Sequence, residues 1–261
     1  MISLFFGKIF PRNAVLIHDD WGTSMKIRSS TNLTADQWRS AKDAAIHNFL
    51  IHYIDGTLPD GGMAFTERVL HFLCDCASTE TVASCLNFES VLDYIMSTCP
   101  YKVELIIRWT DGTSKQYKNV GNVGMEKYLC IKYNIRILHC FFPTCWGKGK
   151  IDLLGGIVHG LYTKLVDILS EKATDLGLVV SKMNELYSVP GSTRAESALS
   201  LRVFFYVSQE ENDRARSERT TWKTLNFPSG VTLLILFLNP FGFFIITLRV
   251  FVLRCVSNIV S

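Results

Sequence analysis

The chain has 261 residues, of which 27 are basic and 24 acidic, giving a formal net charge of +3. This length suits one large or two small domains, and the mild positive charge permits a nucleic-acid partner without favouring one. The eight cysteines are scattered and lack zinc-finger spacing, which argues against a disulfide scaffold or a zinc site and favours reduced thiols. The apolar N-terminal segment contains Lys8 and lacks the pattern of a signal peptide.

Apolar and polar segments alternate along the first hundred residues. Residues 14–21, AVLIHDDW, predict a strand that ends in acids, and a helix start follows at Thr34. Residues 45–54 predict a second strand, closed by the turn sequence DGTLPDGG. Residues 63–77 place apolar side chains at helical spacing and therefore predict a helix, as do residues 86–97.

The same alternation continues further along the chain. Residues 103–109, VELIIRW, and residues 136–142 predict strands, and residues 122–133 predict a helix between them. A glycine-containing loop at 143–150 follows. The apolar stripe beyond it predicts a long helix from residue 151 to about residue 175.

A loop, a strand and a charge run are predicted after the long helix. The loop covers residues 188–200, the strand residues 200–208, and the solvated charge run residues 210–223. Strands alternating with helices predict an α/β fold, in which a mixed sheet is flanked by helices. The predicted units are a core at 14–210, a charged linker at 211–228 and a hydrophobic tail at 229–261.

The tail contains an uncharged apolar run at residues 231–248, which is 18 residues long. That length meets the threshold for a transmembrane helix, although Asn239-Pro240 interrupts the run. Three interpretations stay open: a membrane anchor over residues 231–253, an apolar segment buried in the domain, and translated non-coding sequence past a broken reading frame. The first predicts a membrane location, and the third predicts a nuclear or cytoplasmic protein.

Three aspartates occupy comparable places in the predicted fold. Asp20 ends the first strand, Asp111 follows the strand at 103–109, and Asp152 opens the long helix. Strand ends and a helix start can converge on one edge of a mixed sheet, where carboxylates bind Mg²⁺ or Mn²⁺ and support phosphodiester chemistry. Each acid also has a purely structural interpretation, as a turn residue or a helix N-terminal acid, and the pattern alone leaves both open.

Two motifs carry a resemblance to a known family. DGTSKQYKN at 111–119 resembles the SDG…QYKN box, and residues 139–160 resemble the HFFATSHGKGxxDGxGGxxKR box, of uncharacterised eukaryotic proteins derived from DNA transposons. Residues 20–25 resemble the family's DFAENY box weakly, and RVFFYV at 202–207 resembles its C-terminal part. The resemblance spans residues 14–210 and implies a ribonuclease H-like fold and a DDE-type transposase.

The resemblance also implies roles for particular residues. Asp20, Asp111 and Asp152 are the expected catalytic residues and ligands of Mg²⁺ or Mn²⁺, with Asp20 preferred to Asp19 because it precedes an aromatic residue. Contacts with DNA backbone phosphates are expected from Lys115, Gln116, Lys118, Asn119, Lys148 and Lys150. A solvated loop is the alternative for these lysines, and no small-molecule cofactor is expected.

The chain departs from the family pattern at three places. Thr23-Ser24 replaces Glu-Asn, Cys145-Trp146 replaces Ser-His, and His159-Gly160 replaces a basic pair. These departures predict a degenerate nuclease and strand-transfer domain with weak or no activity. The alternatives are a non-enzymatic nucleic-acid-binding relic and a single-pass membrane protein defined by its tail.

Overall fold

A computed structural model describes residues 10–57, 61–77, 79–142, 149–188, 200–219, 234–238 and 244–245. These residues form one mixed sheet flanked by helices, which confirms the predicted fold class. The strands are β1 (Ala14–Trp21), β2 (Met25–Lys26), β3 (Asp43–Thr57), β4 (Met63–Cys74), β5 (Leu105–Thr110), β6 (Arg136–Phe141), β7 (Ser200–Val207), β8 (Leu234–Leu238) and β9 (Phe244–Ile245). The helices are α1 (Ala35–Ser40), α2 (Thr81–Thr98), α3 (Val120–Tyr133), α4 (Lys150–Leu169), α5 (Leu176–Tyr187) and α6 (Gln209–Arg219), with a 3₁₀ turn at Ser170–Thr174.

Strand β1 lies in the middle of the sheet, whose order is β7-β4-β3-β1-β5-β6-β8-β9. β3 runs antiparallel to both β1 and β4, whereas β5 and β6 run parallel to β1. β7 extends one side in parallel with β4, and β8 extends the other side in parallel with β6. The carboxyl ends of β1, β5 and β6 therefore meet at one edge.

The sheet has a hydrophobic core on each face, because side chains alternate along every strand. On one face, named here the α2–α3 face, Val15, Ile17 and Phe49 share a cluster with buried residues of α2 and α3. On the other, the α4–α5 face, Ile46 and Leu73 share a cluster with buried residues of α4 and α5. Consecutive residues of β1 thus face different helices.

The predicted helix at residues 63–77 is wrong, because this segment forms β4. β4 lies between β3 and β7 with both faces covered, so residues 69–74 are all buried. A strand buried on both faces shows a continuous apolar run without alternation, and such a run fits helical spacing by chance.

Two further boundaries differ from the sequence prediction. The long helix ends at Leu169, where Ser170 takes a positive φ of 52°, and a separate helix, α5, follows the 3₁₀ turn. The charge run begins as helix α6, in which Asn212 and Ala215 are buried, so the predicted linker starts inside a packed helix.

Parts of the predicted organisation lie outside the described residues. They include most of the loop at 188–200, the linker beyond residue 219 and most of the hydrophobic tail. Strands β8 and β9 are the described parts of the tail. Among the described helices, Lys150–Thr174 reaches the length and hydropathy of a membrane span, and Val158, Leu161 and Leu165 within it belong to the core on the α4–α5 face.

Candidate acidic site

Asp20 and Asp111 lie next to each other at the carboxyl ends of β1 and β5. The parallel register pairs His18 with Trp109, and two residues further along each chain it brings Asp20 beside Asp111. Alternation places Asp20 on the α4–α5 face and Asp19 on the α2–α3 face. On the other side of Asp20, the cross-strand neighbour is Asn48, a neutral amide that does not balance the charge of Asp20.

Asp152 reaches the same edge from the first turn of α4. This helix approaches the sheet closely at Gly155, where an added Cβ would lie 3.4 Å from the Gly22 Cα, just beyond the end of β1. Asp152 is three residues before Gly155 and therefore lies on a similar side of the helix. The small residues Gly22 and Gly155 thus let α4 bring Asp152 to the end of β1.

The three carboxyl groups interact electrostatically. Burial, followed by the charges of Asp111, Asp19 and Asp152, raises the pKa of Asp20 from 3.8 to about 7. A pKa near neutrality means that Asp20 is about half protonated near pH 7, because burial and the neighbouring carboxylates disfavour its ionised form. A divalent cation is the ligand that would relieve this repulsion.

The carboxylates of Asp111 and Asp152 each hold local hydrogen bonds. Asp111 accepts bonds from the backbone N–H of Thr113, at 3.0 Å, and from its hydroxyl, and Asp152 accepts one from the backbone N–H of Gly149 at 2.6 Å. Within the described part of the chain, no three His, Cys, Asp or Glu side chains are already arranged to hold a metal ion. The donor type suits Mg²⁺ or Mn²⁺, and the three side chains must rotate towards one another to ligate it.

A network of paired charges lies on the opposite face of the same strands. Arg108 contacts Asp19 at 2.6 Å and Glu126 of α3 at 2.8 Å, and Glu126 lies 2.8 Å from His139 of β6. All four side chains are at most 2% exposed. Burial disfavours ionised Asp19, but Arg108 and His47 outweigh it and hold the pKa of Asp19 at about 2. The network joins β1, β5, β6 and α3 directly behind the acids.

The tyrosine of the DGTSKQYKN motif inserts into this network. Tyr117 is 1% exposed, and its hydroxyl lies 3.3 Å from His47 Nε2. His47 stacks on Trp21 at a centroid distance of 4.1 Å and lies 3.6 Å from Asp19. Because burial raises the pKa of Tyr117, the phenol stays neutral and can donate a hydrogen bond. Tyr117 therefore fastens the turn that begins at Asp111 onto the core.

The predicted nucleic-acid residues after Asp111 differ in their surroundings. Lys115 is exposed, Gln116 is half-buried, and Lys118 places its Nζ 4.8 Å from the centre of the Phe141 ring. Asn119 caps α3: its Oδ1 accepts from the Asn122 N–H, and its Nδ2 donates to Thr81 and Ser114. The amide of Asn119 is therefore used within the fold, whereas Lys115 projects into solvent.

The two remaining predicted nucleic-acid residues flank the start of α4. Lys148 lies outside the described residues. Lys150 is the first residue of α4, and its Nζ pairs with Glu67 of β4. The other carboxylate oxygen of Glu67 lies 3.2 Å from Nε2 of His52. The structure thus engages Lys150 in an ion pair across the α4–α5 face.

Sequence reasoning missed Arg108, Glu126 and Glu67. Arg108 had a recognisable signal, since a cation in the apolar strand VELIIRW needs a buried partner. Glu126 had one too, because it shares a helix face with the apolar Met125 and Leu129. Glu67 had none, because its segment was predicted to be a helix.

Taken together, the fold and site define a mixed α/β domain with an acidic cluster at the carboxyl edge of its sheet. The model of a family described as a domain of unknown function (DUF8701) matches residues 8–226, and the chain belongs to that family. No curated protein and no solved structure matches the chain.

Proposed function

We propose that the chain is a ribonuclease H-like, DDE-type domain, derived from a DNA transposon, that binds Mg²⁺ or Mn²⁺ through Asp20, Asp111 and Asp152. The observation that carries this proposal is the convergence of the three acids at one edge of the sheet, where burial and the neighbouring acids also raise the pKa of Asp20 to about 7. Three carboxylates drawn from two strand ends and a helix start concentrate charge where the transposon-like motifs occur. Isolated structural aspartates would lack this mutual repulsion.

The order of the elements supports the same proposal. Among the five strands β1, β3, β4, β5 and β6, the first and the fourth end in Asp20 and Asp111, and the helix after the fifth begins near Asp152. A ribonuclease H-like fold expects its acids on these three elements. β4 supplies the early strand that this fold requires.

The bound metal would activate a water or a 3′-hydroxyl and stabilise the leaving oxygen of a phosphodiester. The protein's own contribution is to hold the three carboxylates at one edge, with Asp19 paired to Arg108 behind them. Lys115 and Lys118 are exposed in the turn that follows Asp111, where they suit contacts with DNA phosphates. The Thr23-Ser24 and His159-Gly160 departures lead us to propose weak catalysis.

His159 illustrates how one departure changes the site. Its Nε2 lies 3.2 Å from both the hydroxyl and the carbonyl oxygen of Thr23. Thr23 and His159, which both depart from the pattern of the transposon-derived family, therefore contact each other between the end of β1 and helix α4. This contact places an imidazole and a hydroxyl where the resembling family has a basic and an acidic side chain.

Calorimetric titration of the full chain with Mn²⁺ tests the proposal. We expect micromolar-to-millimolar binding by the wild type and its loss in Asp111→Asn. Asp93→Asn is the matched control, because Asp93 lies on α2 and accepts a hydrogen bond from Tyr133. Absence of Mn²⁺ binding by folded wild-type protein, or equal binding by the Asp111 variant, would overturn the metal site.

A plasmid-nicking assay then tests the catalytic part of the proposal. We expect slow, Mn²⁺-dependent nicking by the wild type, abolished in Asp111→Asn and retained in Asp93→Asn. Metal binding without any nicking would leave a metal-binding relic and refute the nuclease.

A further inference from the structure

Glu67 of β4 lies between two basic side chains on the α4–α5 face. One carboxylate oxygen pairs with Lys150 Nζ, and the other lies 3.2 Å from His52 Nε2. The side chains of Glu67 and His52 are 18% and 17% exposed and that of Lys150 is 52% exposed, so water screens the ion pair only from the lysine side. Glu67 therefore links the first residue of α4 to two neighbouring strands.

The first turn of α4 has two kinds of contact with the sheet. Ile151 and Leu154 pack with Leu50 and Val69 in a small apolar cluster. Apolar packing is non-directional, so it sets the depth of the helix on the sheet more firmly than the position of its first turn along the sheet. The ion pair between Lys150 and Glu67 is directional and fixes the position of this first turn along the sheet.

Asp152 moves with this first turn. It is two residues after Lys150, and its carboxylate accepts a hydrogen bond from the Gly149 N–H at 2.6 Å. Residues 149–152 are thus a connected unit, whose only described ion pair to the sheet is the one through Glu67. The position of the Asp152 carboxylate relative to Asp20 depends on where that unit is held.

We propose that Glu67 is a positioning residue for the acidic site: it holds Lys150 and thereby fixes the backbone of Asp152 at the sheet edge where Asp20 and Asp111 lie, so that the three side chains can rotate to share one cation. This inference rests on the proposed function. It assigns Lys150 the role of an anchor for the helix, in place of the phosphate contact predicted from the sequence. His52 supports Glu67 from β3.

A second ion pair provides a matched control. Glu89 of α2 pairs with Lys132 of α3 at 2.9 Å, and the two side chains are 15% and 38% exposed. This pair joins two helices on the α2–α3 face, on the opposite side of the sheet from α4. Loss of Glu89 removes a similarly shielded ion pair without touching the acidic site.

The experiment measures Mn²⁺ affinity of the full chain by calorimetry for wild type, Glu67→Gln, Lys150→Met, the double variant and Glu89→Gln. We expect about tenfold weaker binding in each single variant, the usual effect of losing a group that orients metal ligands. The double variant should bind no more weakly than either single variant, because both remove one interaction. Glu89→Gln should bind as the wild type does.

Hydrogen–deuterium exchange without metal supplies a second readout. We expect faster exchange of amides 149–154 in Glu67→Gln and unchanged exchange there in Glu89→Gln. Unchanged affinity and exchange in Glu67→Gln, an equal loss in Glu89→Gln, or additive losses in the double variant would each overturn the positioning role. Any of these three outcomes refutes the positioning role alone when the wild type binds Mn²⁺ and Asp111→Asn does not. If the folded wild type binds no Mn²⁺, both the positioning role and the proposed metal site fail.

Discussion

Asp19 and Asp20 are consecutive residues of β1 in opposite electrostatic environments. Asp19 faces α3, contacts Arg108 at 2.6 Å, and has a pKa held at about 2. Asp20 faces α4, has other carboxylates as its charged neighbours, and has a pKa raised to about 7. One strand therefore separates an acid paired with a buried cation from an acid whose charged neighbours are other acids. The contrast distinguishes a charge that is neutralised within the fold from a charge that we propose a divalent cation neutralises.

The two aspartates should also respond oppositely to pH. The pKa of Asp19 is depressed in the folded state, so its stabilising contribution is complete above about pH 4 and is lost as the pH falls towards 2. The pKa of Asp20 is raised, so its ionisation destabilises the fold progressively as the pH rises from about 4 to 7. These opposite trends underlie the predictions below.

The largest loss of stability is expected when the buried charge network around Asp19 loses its cation. Arg108→Met leaves Asp19 and Glu126 buried without their cation, so we expect the free energy of unfolding to fall by about 3–5 kcal/mol. Urea denaturation measures it. Arg216→Met is the control, since Arg216 pairs with Glu80 at 3.4 Å and both side chains are about half exposed, and its loss should be below about 1 kcal/mol. Comparable losses in the two variants would contradict the difference between core and surface pairs.

The contact between α4 and the end of β1 should be the next most sensitive. Gly155 faces Gly22 at close range, whereas a Cβ on Gly156 would meet nothing within 4 Å. We expect Gly155→Leu to lower the free energy of unfolding by roughly 2–3 kcal/mol, because the side chain would push α4 off the sheet. Gly156→Leu should be neutral or stabilising, since it removes a glycine from an exposed helix position. Equal effects in thermal denaturation would show that α4 does not approach the sheet at Gly155.

The protein should become more stable when the charge of Asp20 is removed from the acidic cluster. At pH 8 we expect Asp20→Asn to raise the free energy of unfolding by on the order of 2 kcal/mol, about half of the full linkage, because Asp20 is partly exposed. The gain should vanish near pH 4, where Asp20 is protonated in folded protein. Urea denaturation at several pH values measures the difference. If Asp20→Asn is less stable than the wild type at pH 8, the ionised Asp20 carboxylate stabilises the fold, which would contradict this prediction.

The smallest change in stability is expected in the predicted DNA-binding turn, where Asn119 and Lys115 should differ. Asn119→Ala removes the cap of α3, and we expect a loss of about 1 kcal/mol in the free energy of unfolding. Lys115→Ala should leave stability unchanged, because Lys115 is exposed, but should weaken DNA binding in fluorescence anisotropy at low salt. Unchanged stability in Asn119→Ala would leave its amide available for DNA, as the sequence motif suggests.

The sequence predicted the elements whose pattern is local. β1, β3, β5, β6 and α3 follow from apolar runs and turn residues, and the structure confirms them. The helix prediction for β4 was wrong because β4 is buried on both faces, with Phe72 in the core of the α2–α3 face and Leu73 in the core of the α4–α5 face, and α4 and α5 lie far along the chain. Periodicity cannot reveal which distant segment covers a strand.

The same distinction applies to the candidate site. Their positions at two predicted strand ends and one predicted helix start were enough to select Asp20, Asp111 and Asp152 as candidates. Apolar runs and turn residues nearby in the sequence reveal such positions. The partner of Asp19 was not predicted, because Arg108 is 89 residues away along the chain and becomes its neighbour only in the parallel pairing of β1 with β5. Pairing across the sheet, rather than composition, decides which acids are neutralised.

The most direct test of the acidic cluster is the pKa of the Asp20 carboxyl group. It can be measured by carbon-13 NMR titration of the full chain with the signal assigned through Asp20→Asn, in the absence and presence of Mg²⁺. We expect a pKa of about 7 without metal and a marked decrease when Mg²⁺ is added, because the cation favours the ionised carboxylate. A pKa near the ordinary value of 3.8, or one that Mg²⁺ leaves unchanged, would contradict a cluster of carboxylates that binds a divalent cation.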